Sequence, residues 1–283
     1  MLNGCAYILT VDVGNTFIRF GLFAEDSAAA QERPLATCEI TTPARITADE
    51  ARMRLAQVMG ALAADAGVPG VLVPAAAVLS CVVPALERPW KAALSRTCTG
   101  RVLTVGPGLK TGMPVHYDDP AEIGPDRIAD AVAARAVYGS PCIVIDLGTT
   151  TNIEVIDAHG TFVGGVIAPG LALGARSLSA AAARLPQVEP SAPTHVIGRN
   201  TREAMRSGVV LGEVARIDGM LDMVLAEMRA TKAAGEGSVP IVITGDDAEA
   251  LAALVGHSLT VDDALTLRGL AELYHINQKP RRA

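Results

Sequence analysis

The sequence has few aromatic side chains and no excess of positive charge. Phe, Trp and Tyr make up 3% of the 283 residues, whereas apolar residues make up 50%. The cores must therefore consist mainly of Ala, Val, Leu and Ile, which is typical of layered α/β folds and disfavours an aromatic-rich β-sandwich. The net charge of −6 disfavours a general nucleic-acid-binding protein, because such proteins usually carry a basic surface.

The sequence also lacks closely spaced cysteines. None of the five forms a Cys-x-x-Cys pair, so the usual zinc spacing is excluded, and their odd number does not indicate a disulfide framework. They are Cys5, Cys38, Cys81, Cys98 and Cys142. Residues 1–5 carry no basic segment of the kind that begins a signal peptide. These features predict a reduced, cytoplasmic location.

Long uninterrupted apolar runs are absent as well. The longest apolar region, residues 68–86, is broken by Pro69, Gly70, Pro74 and Pro84. A membrane-spanning helix needs about 20 predominantly apolar residues in sequence. We therefore expect a loop and a buried strand here, and no membrane association.

What the sequence does contain is one pattern that occurs twice. An apolar run at residues 8–13 leads into Asp12-Val13-Gly14-Asn15-Thr16, and a second strand pattern follows at 17–23. A later apolar run at 142–145 leads into Asp146-Leu147-Gly148-Thr149-Thr150, with a return strand at 152–156. The two aspartates are 134 positions apart (146 − 12), roughly half the chain, which predicts an internal duplication.

Each repeated turn has the chemistry of a phosphate site. Gly14 lets backbone N–H groups face a phosphate, Asn15 and Thr16 can add hydrogen bonds, and Asp12 can hold Mg²⁺. One copy alone could equally be an ordinary hairpin. The second copy favours two lobes that hold one nucleotide, and neither turn continues into the Gly-Lys-Ser/Thr of a P-loop. The run Gly164-Gly165-Val166 is not a dinucleotide fingerprint, so a Rossmann enzyme is disfavoured.

A third candidate is Gly124-Pro125-Asp126-Arg127, which opens a predicted helix over residues 128–138. Asp126 in a first helical turn would be ionised and could accept a proton from a hydroxyl. Arg127 could pair with a carboxylate or phosphate. The local pattern alone favours a simpler interpretation, a helix-start Asp beside a surface Arg. The preceding segment 106–122, rich in Gly, Pro and Asp, is predicted to be a long functional loop.

Further elements are predicted from periodicity and capping signals. They are a helix over 48–66, a strand within 71–83, strands at 101–105 and 241–243, and a closing helix over 264–274 with Asp262 or Asp263 as its cap. Thr201 could cap a helix that begins at 202.

Taken together, the motifs identify a family resemblance that runs almost end to end. They comprise Asp12–Thr16, Leu79–Pro84, Gly124–Arg127, Asp146–Thr150, Gly164–Gly170, Ile197–Thr201, Leu265–Leu270 and Asn277. The chain resembles the type III pantothenate kinases of the acetate and sugar kinase/Hsp70/actin superfamily. The resemblance implies an α/β fold of two duplicated actin/ribonuclease H-like lobes with mixed sheets and a nucleotide cleft between them. We place these ATPase-like lobes at residues 1–120 and 121–283.

The resemblance also implies a reaction, the ATP-dependent phosphorylation of pantothenate to 4'-phosphopantothenate in coenzyme A synthesis. Asp126 would be the general base, and Tyr117, Gly124, Pro125, Asp126, Arg127 and Thr201 would bind pantothenate. ATP would contact Asp12, Val13, Gly14, Asn15, Thr16, Phe17, Ile18, Arg19 and Thr149. Asp146 would serve a monovalent cation, K⁺ or NH₄⁺, and Asp12 would hold Mg²⁺. A homodimer is implied, with Thr201 reaching the substrate site near the interface.

The sequence departs from the family pattern at three places. Pro125 stands where the family usually has Ala, and residues 148–152 replace a Gly-Thr-Ala-Thr-Thr-like run. Asp246 and Asp247 follow Thr244-Gly245, where a second glycine is usual, near the expected adenosine site. This acidic pair leaves a regulatory relative without kinase activity as one alternative. A sugar or acyl-acid kinase of the same superfamily is a second alternative.

Overall fold

The computed structural model describes residues 6–26 and 31–278. Within them the chain divides into two compact units. The described residues up to Val137, together with those from Ala264 onwards, form the first unit, and Tyr138–Asp263 forms the second. Cys5 and the N-terminal segment considered for a signal peptide lie outside the described residues.

The first unit contains a five-stranded sheet and four helices. Its elements are β1 (Tyr7–Val13), β2 (Phe17–Ala24), β3 (Ala36–Thr41), α1 (Ala48–Asp65), β4 (Ala76–Cys81), α2 (Pro84–Thr97), β5 (Val102–Thr104), a 3₁₀ turn (Pro120–Glu122), α3 (Pro125–Tyr138) and, from the end of the chain, α8 (Leu265–Ile276). The strand order is β3-β2-β1-β4-β5. The first three strands are antiparallel, and β4 and β5 run parallel to β1.

Local signals in the sequence explain why α1 forms where it does. Thr47 and Glu50 make a capping box, with each side chain bonded to the backbone of the other residue. The apolar positions of α1, among them Leu55, Val58 and Leu62, are buried in the core of the first unit. That core also contains Phe20 and Trp90, whose ring centroids are 5.7 Å apart. The predicted helix over 48–66 is confirmed.

The second unit contains a sheet of the same design. Its elements are β6 (Cys142–Leu147), β7 (Thr150–Ile156), β8 (Phe162–Pro169), α4 (Leu171–Ala181), α5 (Thr201–Arg206), a π-helical turn (Ser207–Leu211), α6 (Gly212–Ala230), β9 (Ile241–Gly245), α7 (Ala248–Ala252) and β10 (Thr260–Val261). The strand order is β10-β9-β6-β7-β8. Strands β6, β7 and β8 are antiparallel, while β9 and β10 run parallel to β6.

The two sheets therefore share one topology. Counted from the first strand of each, the order is 3-2-1-4-5 in both, with the same pairing directions. Each Asp-x-Gly turn joins the first and second strands of its sheet, β1 to β2 and β6 to β7. The predicted duplication and the α/β class with mixed sheets are confirmed.

Two details differ from the sequence expectations. The last helix begins at Leu265 with Ala264 at its N-cap, so neither Asp262 nor Asp263 caps it. Asp262 instead is 1% exposed and accepts a hydrogen bond of 2.9 Å from Tyr138 Oη. The contact-defined units are divided after Val137, and α8 belongs to the first, whereas the predicted lobes were divided at residue 120.

Four of the cysteines are described, and Cys38, Cys81, Cys98 and Cys142 form no disulfide bond. Within residues 6–26 and 31–278, none of the helices combines the length and apolar character that a membrane span requires.

Candidate active site

The first Asp-x-Gly turn is a tight connection between β1 and β2. Gly14 N donates to Phe17 O at 3.0 Å, and a Cβ on Gly14 would lie 3.0 Å from that oxygen, so a side chain would crowd the turn. Thr42, just after β3, stabilises the turn, because its hydroxyl donates a hydrogen bond to Gly14 O at 2.7 Å. Its backbone N–H also donates to Thr16 O at 2.9 Å. The turn is therefore fixed before any ligand binds.

Asp12 lies at the base of this turn and is almost fully buried. The residue is 7% exposed, and it stands opposite Ser80 of β4 and Arg19 of β2 in the sheet. Burial, followed by the negative charge of Asp126, raises the pKa of the Asp12 carboxyl to about 6. Ser80 and Arg19 act in the opposite direction. Ser80 lies close to the carboxylate but does not form a hydrogen bond with it. Asp12 Oδ1 and Ser80 Oγ are both buried without a hydrogen-bond partner.

Asp126 occupies the first turn of α3. Its Oδ1 accepts a hydrogen bond of 2.8 Å from the backbone N–H of Arg127. A Cβ on Gly124 would lie 2.4 Å from that oxygen, so this carboxylate position requires glycine two residues earlier. Burial raises the pKa of Asp126, while the helix-start N–H groups and Arg127 oppose the rise. Asp12 and Asp126, predicted separately from the sequence, are brought together in the first unit.

A cavity of about 480 Å³ adjoins the start of α3, the helix that carries Asp126. Its wall consists largely of the loop after β5, the segment that the sequence predicts to be a long functional loop. Cys81 at the end of β4 and Pro125 and Ile128 of α3 complete it. The lining is mostly apolar and comprises Cys81, Val105, Gly106, Pro107, Gly108, Leu109, Thr111, Val115, Pro120, Ala121, Ile123, Pro125 and Ile128. Such a cavity suits a small molecule with an apolar body.

The second Asp-x-Gly turn, in the other unit, is equally tight. Gly148 N donates to Thr150 O at 3.0 Å. Gly170, directly after β8, packs against it, and its N–H donates to Thr149 O at 3.1 Å. A Cβ on Gly170 would lie 2.2 Å from Gly148 O, so only glycine permits this approach.

Asp146 stands at the end of β6 among oxygen-bearing side chains. In the sheet it is directly opposite Asn152 of β7 and Thr244 of β9, so the three side chains share one face. Asn152 is 5% exposed, and its Oδ1 is buried without a hydrogen-bond partner. This amide oxygen is a potential cation ligand beside the Asp146 carboxylate.

The remaining predicted residues are placed as follows. Arg127 is 5% exposed, so the alternative of a surface arginine is wrong. Arg19 forms an ion pair of 3.0 Å with Glu39 and lies over the Phe17 ring. Tyr117 is half-buried in the loop after β5. Thr201 is the first residue of α5, but Asn200 is its cap, because the Asn200 side chain accepts from Glu203 N.

The donor set fits a divalent cation that is held mainly by a nucleotide. Among the described residues, no cluster of three or more His, Cys, Asp or Glu side chains forms a metal site. Mg²⁺ in phosphoryl-transfer sites commonly takes one or two carboxylates together with substrate phosphates. The unpartnered Oδ1 of Asp12 is available as one such ligand.

Sequence reasoning missed several residues that support the site. Thr42 follows β3 and Ser80 lies in β4, 28 and 68 positions from Gly14 and Asp12, which they face. The sequence places Asn152 only at the start of a return strand and in a departure from the family run, and Gly170 only at the end of the family motif 164–170. The predicted strand within 71–83 and the family motif Leu79–Pro84 both contain Ser80, but neither indicates that it stands opposite Asp12.

Comparisons with known proteins agree with this geometry. The type III pantothenate kinase family model matches residues 8–223. The chain is 38% identical over 280 residues to a type III pantothenate kinase of Koribacter versatilis, covering 97% of both chains. It is 40% identical over 285 residues to one of Nocardia farcinica, covering 97% of this chain and 99% of the relative. The chain belongs to the type III pantothenate kinase family.

A solved structure supports the fold. The ROK hexokinase of Thermus thermophilus aligns with a TM-score of 0.51 at 14% identity, covering 96% of this chain and all of the hexokinase. At that identity the likeness concerns the two-lobe α/β fold alone.

Proposed function

We propose that this chain transfers the γ-phosphoryl group of ATP to the hydroxyl of pantothenate, giving 4'-phosphopantothenate and ADP. This is the first step of coenzyme A biosynthesis. The observation that carries the proposal is the proximity of two carboxylates, the buried Asp12 and the half-buried Asp126, together with an apolar cavity of about 480 Å³ at the start of α3. Membership of the family supports the same reaction.

The first turn binds the phosphates. Backbone N–H groups around Gly14 face the phosphate oxygens, and the residues from Asp12 to Arg19 contact ATP, as does Thr149 of the second turn. Mg²⁺, when bound at Asp12, neutralises charge on the transferring phosphoryl group. Phosphoryl transfer depends mainly on alignment and charge neutralisation, so a turn already fixed by Thr42 is well suited to it.

Asp126 acts as the general base. Its carboxylate takes the proton of the pantothenate hydroxyl while that oxygen bonds to the γ-phosphorus and the bond to the β–γ bridging oxygen breaks. A raised pKa makes the carboxylate a better base near neutral pH than an ordinary aspartate. Tyr117 and residues Gly124–Arg127 bind pantothenate, and the neighbouring cavity receives its apolar part.

A monovalent cation, K⁺ or NH₄⁺, binds at Asp146. The unpartnered Oδ1 of Asn152, on the same face of the sheet, supports this assignment because it offers a second oxygen ligand. Replacing K⁺ by a larger organic cation that cannot enter the site should therefore abolish turnover.

The active form is a cytoplasmic homodimer in which Thr201 reaches the pantothenate site of the partner subunit. Exposed apolar side chains in the same segment support a second copy as the partner, since Val196 is 73% exposed and Ile197 is 82% exposed. Thr201 begins α5 four residues after Ile197.

An assay of ADP release separates this proposal from its alternatives. With ATP, Mg²⁺ and K⁺ present, we expect turnover on addition of pantothenate and none on addition of a hexose or acetate. Turnover with only those acceptors would indicate a sugar or acyl-acid kinase. Absence of acceptor-dependent turnover with every nucleotide tried would indicate a regulatory relative.

A further inference from the structure

A charged network around a buried glutamate lies beside the second Asp-x-Gly turn. Glu213, the second residue of α6, is 5% exposed, and its Oε1 accepts a hydrogen bond of 2.6 Å from Thr151 Oγ1. Its Oε2 accepts from Arg216 Nη2. The same Arg216 nitrogen donates to Pro169 O at 2.6 Å. A carboxylate at this depth is tolerated only when such partners satisfy it.

The network joins one helix to the ends of two strands. Thr151 is the second residue of β7, and Pro169 is the last residue of β8. These positions are adjacent in the sheet, since Thr150 pairs with Pro169 and Thr151 pairs with Ala168. Glu213 and Arg216 reach them from successive turns of α6. The helix thus fixes both strands at the edge where the turn lies.

The ends of β7 and β8 that this network holds are directly next to the second turn. Thr149 immediately precedes β7, and Gly170, which immediately follows Pro169, packs against Gly148 and Thr149. A displacement of β7 or β8 at this edge must therefore move the backbone of the turn. The contact at Gly170 leaves no space for such a movement to be absorbed.

An irregular helical turn just before Glu213 also indicates that this network has a role in a functional site. A π-helical turn, Ser207–Leu211, directly precedes α6 and adds a residue to the helical path just before Glu213. Such bulges are rare and occur often at functional sites. Here the bulge determines which side of α6 carries Glu213.

We infer that Glu213, acting with Thr151 and Arg216, positions the second turn for the phosphates of a nucleoside triphosphate. The inference rests on the proposed function, in which Thr149 contacts ATP. None of the three residues has to touch the nucleotide. Removing the Thr151 hydroxyl deprives a buried carboxylate oxygen of its donor, and the start of β7 moves to compensate. A shift of about 1 Å in a phosphate-binding backbone can cost ~10²-fold in rate.

The test compares Thr151→Val, which keeps the shape and removes the hydroxyl, with Thr151→Ser, which keeps the hydroxyl. For Thr151→Val we expect the KM for ATP to rise by about tenfold while the KM for pantothenate stays within about twofold. Thr151→Ser should restore the KM for ATP to within about twofold of the unsubstituted enzyme. Thr97→Val is the matched control, because it removes a hydroxyl bond of 3.0 Å to Ala93 O within α2 and should change neither KM.

Glu213→Gln should act in the same direction as Thr151→Val, since it weakens the contact with Arg216. If the Glu213→Gln variant does not fold, the comparison of the two Thr151 variants is sufficient to test the inference. The inference is overturned if Thr151→Val lowers the melting temperature but leaves the KM for ATP unchanged. It is also overturned if both KM values rise equally.

Calorimetric binding of a non-hydrolysable ATP analogue with Mg²⁺ separates this inference from the proposed function. Weaker analogue binding by Thr151→Val, with normal binding by Thr151→Ser, supports the positioning role even if pantothenate is not the acceptor. Equal analogue affinity in both variants overturns it, whatever the acceptor.

Discussion

After burial, the charge of Asp126 is the main cause that raises the pKa of Asp12, a residue more than a hundred positions earlier in the chain. The two carboxylates are nevertheless in different environments. Asp126 accepts a backbone hydrogen bond from Arg127 N, whereas Asp12 Oδ1 has no hydrogen-bond partner. A divalent cation at Asp12 would satisfy that oxygen and relieve the repulsion. This difference supports the division of labour in which Asp12 holds the metal and Asp126 moves the proton.

The pH dependence of turnover should reflect both raised pKa values. Both carboxylates must be deprotonated, so kcat/KM should fall as the pH decreases through about 6, the pKa of Asp12. Bound metal favours the charged form of Asp12, so the acidic limb of kcat should lie at lower pH than that of kcat/KM. Steady-state rates from about pH 5 to about pH 8 test this. A profile that is flat over the whole range would contradict it.

Stability without metal should depend on pH in a direction set by Asp12. Its pKa is raised from 3.8 to about 6 on folding, so the folded state binds more protons than the unfolded state between these values. Stability therefore falls as the pH rises through this window, by up to ~3 kcal/mol. Asp12→Asn cannot ionise and should be more stable than the unsubstituted protein at neutral pH.

Urea unfolding in the presence of a chelator measures this difference. The advantage of Asp12→Asn should disappear below about pH 4, where Asp12 is protonated in both states. Glu236→Gln, at an exposed carboxylate, serves as the control and should show no such pH dependence. If Asp12→Asn is less stable than the unsubstituted protein at neutral pH, burial does not destabilise the Asp12 charge in the way proposed.

Asp247 should weaken nucleotide binding. Burial and the neighbouring charge of Asp246 raise the pKa of its carboxyl, and Asp246 N donates to Leu147 O at 3.0 Å beside the second turn. Asp247→Asn should tighten ATP binding by roughly tenfold, equal to the loss of ~1.4 kcal/mol of repulsion. Calorimetric titration with MgATP measures this. Glu249→Gln, at an exposed carboxylate of α7, should leave the affinity unchanged, and an equal effect of both variants would argue against a local role for Asp247.

Ile197→Asp should dissociate the proposed homodimer and raise the KM for pantothenate. Ile197 is 82% exposed, and a carboxylate buried without a partner at an interface would be strongly unfavourable. Light scattering at micromolar concentration gives the oligomeric state. Val71→Asp provides the control, because Val71 is 90% exposed in the first unit and should not affect assembly. A fully active monomer of the unsubstituted protein would contradict a shared pantothenate site.

The sequence predicted the parts of the fold that local patterns determine. Both Asp-x-Gly turns, the helix with the Thr47 capping box and the strands that flank the turns were correctly located, because each signal spans only a few residues. Asp126 is different. Local pattern alone favoured a simple helix start, and its importance came from the family resemblance and then from its proximity to Asp12.

The sequence could not predict pairings between distant residues. Thr151 and Glu213 are 62 positions apart, and nothing near either residue indicates that a buried hydrogen bond joins them. The same holds for Thr42 and the first turn. Whether a polar atom is left without a partner, as at Asp12 Oδ1, depends on the packed structure and not on the local chain. The prediction that Asp262 caps the last helix was wrong, because its carboxylate instead accepts a hydrogen bond from Tyr138, a residue distant in sequence.

The most direct measurement compares pantothenate-dependent ADP release by the unsubstituted enzyme and by Asp126→Asn, with ATP binding measured in parallel. Asp118→Asn, at an exposed carboxylate of the loop between β5 and α3, is the control. We predict that Asp126→Asn lowers kcat by about 10²–10⁴-fold and leaves ATP binding largely intact. The control variant should keep the kcat of the unsubstituted enzyme. A near-normal kcat for Asp126→Asn would contradict the assignment of Asp126 as the base.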